Sequence, residues 1–110
     1  MVDTSRATRI SMPATAKRGD VVQIKTLIQH EMETGYRRDA EGKVIPRDII
    51  VGLRVTYGGA EIFRAETFAG VSANPFIAFT TVATETGALV FTWTDLAGIA
   101  TTETRTLTVT

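Results

Sequence analysis

The chain has 110 residues, 12 Lys and Arg set against 12 Asp and Glu, and no cysteine. Balanced charge gives no argument for nucleic acid or an anionic membrane as partner, and no stretch is long and apolar enough to span a bilayer. The missing thiol excludes disulfide frameworks, thiol catalysis, cysteine-bearing zinc or blue-copper sites and a covalent thiol carrier.

A chain of this length is expected to form one domain, residues 1–110, around one hydrophobic core. Residues 1–9 lack the apolar segment of a secretory signal. Taken alone, that favours the cytoplasm, or a mature protein, or one exported together with another. Threonine is heavily used, and with Val, Ile, Phe, Tyr and Trp it loads the chain with β-branched and aromatic residues.

The first expected strand is Thr8 to Met12, with Ile10 and Met12 on one face and Pro13 ending it. Lys17-Arg18-Gly19-Asp20 reads as a turn. Val21 to Gln29 alternates, with Val22, Ile24, Thr26 and Ile28 sharing one side. A long charged connection runs from His30 to Ile50. Ile49 to Tyr57 is the next strand, its Leu53, Val55 and Tyr57 facing one way. Gly58-Gly59 signals a two-residue hairpin, because both positions tolerate positive φ. Glu61 to Arg64 returns, followed by an extended piece from Ala65 to Phe68. Val71 to Pro75 breaks the pattern. Phe76 to Thr84 is a strand, Glu85-Thr86-Gly87 a turn, and Leu89, Phe91 and Trp93 line one face of the strand after it. Asp95-Leu96-Ala97-Gly98 turns into the last strand, Ile99 to Thr110.

About seven short strands at regular spacing, with no convincing amphipathic helix, predict an all-β fold: an immunoglobulin-like antiparallel β-sandwich. A small barrel is the competing architecture. Trp93 is the expected core anchor.

Catalytic constellations are nearly absent. His30 is the sole histidine, and Ser5, Ser11 and Ser72 sit in no elbow-like context that would make a nucleophile. One imidazole with the flexible Glu31 and Glu33 makes a weak ligand set, so no metal is expected. Gly58-Gly59 precedes no helix that could cradle a phosphate, and no cofactor is expected. The long connection is therefore the first candidate for recognition, since loops of such length in small domains are commonly functional. His30 reads either as a strand-end residue packed on the sandwich rim and donating one hydrogen bond, or as a contact to a partner protein or to its cargo. Arg37-Arg38 with Asp39 and Glu41 reads as a solvated hairpin tip. Val44 to Ile50 places apolar residues on both sides of Pro46, as a docking edge or as an ordinary strand entry would.

Pro13 to Ile28, then His30-Glu31-Met32-Glu33-Thr34-Gly35, Val44-Ile45-Pro46-Arg47, Ser72-Ala73-Asn74-Pro75 and Phe91-Thr92-Trp93-Thr94-Asp95 closely resemble the SoxZ family. That family supplies the small subunit of the SoxYZ carrier in bacterial thiosulfate oxidation. The likeness runs from about Arg9 to the C-terminus. It implies an immunoglobulin-like sandwich without catalytic residues, paired tightly with a SoxY subunit whose C-terminal arm bears the sulfur-carrying cysteine. It also implies transient contacts with other Sox enzymes and a periplasmic location, reached by export together with SoxY. The family pattern carries proline after the histidine, where this chain has Glu31. The residues expected at the partner interface are His30, Glu31, Met32, Glu33, Ile45, Pro46, Arg47 and Ile49. The alternative is a free-standing immunoglobulin-like adhesion or ligand-binding module.

Overall fold

A computed structural model describes residues 6–67 and 73–110. The end of the expected extended piece at Phe68 and the Val71-Ser72 part of the expected break lie outside them, as does Ser5.

Eight strands form among the described residues: β1 (Thr8–Ser11), β2 (Thr15–Ala16), β3 (Val21–Ile28), β4 (Ile50–Tyr57), β5 (Ala60–Glu66), β6 (Phe76–Val82), β7 (Gly87–Asp95) and β8 (Ala100–Val109). They build two sheets, one ordered β1-β3-β6 and the other β2-β8-β7-β4-β5. This is the sandwich that the alternation predicts, and it is not a closed barrel. In β3, Val22, Ile24, Thr26 and Ile28 are buried and Val21, Gln23 and Lys25 are exposed. A period of two can bury only one face of a strand. Leu53, Val55 and Tyr57 of β4 and Leu89, Phe91 and Trp93 of β7 meet that face from the other sheet, with Leu107 of β8.

Two buried polar groups are satisfied inside this core. Thr26 donates its hydroxyl to the Ile77 carbonyl at 2.9 Å. The Tyr57 hydroxyl donates to the Glu85 carbonyl and accepts from the Glu85 amide, tying the end of β4 to the β6–β7 turn. Phe63 and Phe79 stack at 4.2 Å between ring centroids, closing the side where β5 and β6 approach.

The Gly58-Gly59 hairpin forms as read, with φ of 57° and 86°. The expected strand from Glu61 runs unbroken from Ala60 to Glu66, with a register shift at Val55/Thr56 opposite it. The pairings among the longer strands are antiparallel, and one short contact departs from the pattern, β2 pairing with β8 in parallel. Pro13 has no N–H and ends the pairing of β1 with β3. The chain then crosses to the other sheet, where Thr108 donates to the Ala14 carbonyl at 2.9 Å and Thr110 to the Ala16 carbonyl at 3.0 Å. A two-residue strand has too few residues to show any periodicity.

Candidate partner-binding site

The long connection folds back on itself as a hairpin-like arm. Glu33 and Asp48 exchange backbone hydrogen bonds of 2.8 and 2.9 Å, the Ile45 amide donates to the Arg37 carbonyl at 2.8 Å, and the Asp39 amide donates to the Lys43 carbonyl at 2.9 Å. The tip is an Asx turn: Asp39 Oδ1 accepts from the Glu41 and Lys43 amides at 2.9 and 3.0 Å. Gly35 turns the outgoing limb at a φ of 90°, where its α-carbon lies so close that an added Cβ would stand 3.3 Å from Arg47 Cβ. Arg37 bonds Glu33 through both Nε and Nη2, and this hydrogen bonding, helped by the guanidinium charge, holds the Glu33 carboxyl below the usual carboxylate range.

His30 locks the root of the arm. Its backbone amide donates to Asn74 Oδ1 at 2.9 Å, and the Asn74 amide returns a 2.7 Å bond to the His30 carbonyl. The imidazole is buried, and its Nδ1 accepts from the Met32 amide at 2.9 Å. An accepting Nδ1 carries no proton, so the ring proton sits on Nε2. Nε2 lies 3.3 Å from Asp48 Oδ1 without reaching hydrogen-bond geometry, and among the described residues it is the one buried side-chain nitrogen or oxygen with no hydrogen bond. Arg6 approaches the other Asp48 oxygen at 3.5 Å. Met32 adopts a φ of 55° and turns its thioether inward, where Sδ receives the Ile50 amide at 3.2 Å.

These positions divide the residues expected at the interface. His30, Met32 and Ile49 are buried in the chain's own core and present no surface to a partner. The reason is local. Met32 and Ile49 flank the Glu33–Asp48 bridge, and the root must cover the end of the sandwich, so their apolar side chains turn inward. His30 is not a rim residue donating one bond; its ring is inside and accepts one. Glu31, Pro46 and Arg47 are exposed, and Glu33 and Ile45 are half-buried. The structure adds Tyr36, 84% exposed, and Val44, 49% exposed, on the two limbs of the arm. An aromatic residue in a polar connection was a usable signal for Tyr36. Nothing local in the sequence marks Asp48 and Asn74 as clamps of the root, because their partner is distant in the chain. Two shallow clefts flank Glu31: one of about 370 Å³ bounded by Arg6, Gln29, His30 and Asn74, the other of about 440 Å³ bounded by Glu33, Thr34 and Arg37. Among the described residues no three His, Cys, Asp or Glu side chains gather as a metal site would need.

Fold and site together define a cysteine-free immunoglobulin-like sandwich that carries a structured, partly apolar hairpin arm. The family model for the sulphur oxidation protein SoxZ matches residues 9–106, and the chain belongs to the SoxZ family. Its role is therefore associated with the Sox sulfur-oxidation carrier. No curated protein gives a significant sequence match. Among solved structures, the sulfur carrier protein SoxY from Chlorobium limicola f thiosulfatophilum has a TM-score of 0.67 at 14% identity, covering 98% of this chain and 81% of that one. A superoxide reductase (neelaredoxin) from Ignicoccus hospitalis has a TM-score of 0.72, also at 14% identity, covering 97% and 83%. The CARDB domain of a Pyrococcus furiosus protein has a TM-score of 0.53 at 10% identity over the whole of both chains. At such identities the likeness carries the fold and no activity.

Proposed function

We propose that this chain is the non-catalytic subunit of a SoxYZ sulfur carrier. It binds a SoxY subunit whose C-terminal cysteine holds the sulfur intermediate, and it helps present that cysteine to the Sox enzymes. The observation that carries this reading is a SoxZ-family chain with no cysteine anywhere in its sequence. Sulfur carried covalently on a thiol must then ride on a second polypeptide. This chain adds a stable body, which widens the surface that the processing enzymes recognise while the thiol enters their active sites.

The hairpin arm supports the pairing. Tyr36, Val44 and Pro46 are exposed on an arm that also carries Glu31, Arg37 and Arg47, a mixture of apolar and charged residues such as interfaces commonly show. A stable pair should bury about 1,200–2,000 Å² in total, so the arm would be one part of a larger contact. The pair would work in the periplasm, exported together through the SoxY signal.

Coexpression with SoxY tests the reading. A stable complex should form, with hydrogen exchange slowed at Tyr36 and at Val44 to Arg47 relative to the free chain. Absence of a complex would reject the pairing, and a complex without protection there would move the interface off the arm. In the reconstituted thiosulfate-oxidising system, replacing Glu31 and Glu33 by alanine should lower turnover if this end of the arm docks the enzymes. Turnover of a sulfur compound by this chain alone would overturn the non-catalytic assignment.

A further inference from the structure

The free edges of the two sheets are protected unequally. An unpaired edge strand offers a row of free N–H and C=O groups, and proteins usually blunt it with charge, proline or brevity. β1 is short and carries Arg9, β2 has two residues, and β5 carries Glu61, Arg64 and Glu66. The stretch of β8 beyond β2 carries Glu103 and Arg105. β6 differs: Phe76-Ile77-Ala78-Phe79-Thr80-Thr81-Val82 holds seven residues without a charge or a proline. Among the described residues its only strand neighbour is β3. Nothing in its own sequence discourages another strand from adding to it.

The same seven residues are complementary to themselves. In an antiparallel pair centred on Phe79, the one register that uses the whole strand, Phe76 faces Val82 of the second copy and Ala78 faces Thr80. Large meets large, and small meets small. The rows extend into β3, where Leu27 stands opposite Phe76 and Val21 opposite Val82. Each outer row would then read Leu27, Phe76, Val82, Val21 across the two chains. Three of these residues are notably bare for apolar side chains: Val21 is 71%, Phe76 60% and Val82 49% exposed. Between the two apolar rows run Lys25, Ala78, Thr80 and Gln23, which bring no like charges face to face.

We infer that two copies of this chain pair through their β6 edges, joining two three-stranded sheets into one of six strands sealed by two apolar cross-strand rows. No residue of these rows belongs to the arm assigned to SoxY, so a pair of copies can carry one partner each.

Sedimentation of the purified chain should show a dimer. Phe76→Lys should abolish it while leaving the circular dichroism spectrum unchanged, because Phe76 is exposed in the single chain and the change strikes both rows. Thr102→Lys, on the outer face of the other sheet, adds the same charge and should leave the dimer intact. Register is read by cross-linking, since the chain has no thiol of its own. A mixture of Ala78→Cys and Thr80→Cys chains should oxidise to a covalent mixed dimer. Either variant alone should not, because residues diagonally displaced across two strands lie beyond the roughly 7 Å between α-carbons that a disulfide spans. A wild-type chain that stays monomeric, a Phe76→Lys chain that still dimerises, or a monomer that loses this edge only to SoxY would each overturn the inference.

Discussion

At the scale of single residues, His30 is a buried polar group held through both its backbone and its ring. Its ring closes the arm root by accepting the Met32 amide, and no solvent reaches it to substitute. His30→Ala removes that acceptor and leaves a buried amide unpaired, which costs about 1–3 kcal/mol, before the loss of packing is counted. Urea unfolding should show the midpoint falling by a corresponding amount, and a midpoint equal to wild type would reject the clamp. Trp93 is a different case, a residue of the hydrophobic core. It is 1% exposed and stacks near Phe91. Trp93→Ala should cost roughly 3–5 kcal/mol, measurable in the same unfolding experiment. Trp93 was legible from alternation with Thr92 and Thr94. The inward turn of His30 was not, because it depends on Asn74 and Asp48, which the chain brings to it from 44 and 18 residues away.

At the scale of elements, the arm is held by turn chemistry and charge more than by burial. Gly35 needs positive φ and comes close to Arg47, so Gly35→Ala adds a left-handed backbone penalty of about 1–2 kcal/mol to a crowded contact. Amide exchange along Tyr36 to Lys43 should accelerate, while exchange in β3 and β7 stays unchanged. Acid should loosen the same limb. The folded-state Glu33 carboxyl is held below its ordinary value by Arg37, so the pair contributes above the unfolded carboxylate range and is lost as pH falls through the lowered value. Titration at neutral pH and above should leave the arm unchanged. Amide exchange corrected for intrinsic rate, followed from neutral to acid, checks this, and Glu33→Gln should remove the acid-dependent part. The arm's place was readable as a long charged connection between strands. Its hairpin form was only half readable: the Asp39-to-Gly42 tip has turn residues, whereas the Glu33–Asp48 bridge has no local signal.

At the scale of the whole molecule, the sandwich divides its exposed surface between a charged arm, a threonine-rich outer face on the larger sheet and an uncharged edge at β6. Binding of SoxY should respond to substitutions in the arm. Tyr36→Ala together with Pro46→Ala should raise the dissociation constant of the SoxY pair without altering unfolding of the isolated chain, as titration calorimetry would show. An unchanged constant would place the contact elsewhere. Phe76→Lys should leave that constant as it was, since Phe76 belongs to β6 and not to the limbs of the arm.

Local sequence by itself determined the buried faces of β3, β4 and β7, the Gly58-Gly59 hairpin and the all-β class, because a period of two and a pair of positive-φ glycines act within a few residues. The absence of cysteine just as directly excluded a thiol of this chain's own as the bearer of sulfur. The tertiary structure decided what distance along the chain conceals: the parallel β2–β8 contact, the inward packing of His30, Met32 and Ile49, and the edge of β6, which among the described residues pairs with no second strand. Each of these depends on which remote segment lies opposite, and contact between segments far apart in sequence leaves no periodicity to read.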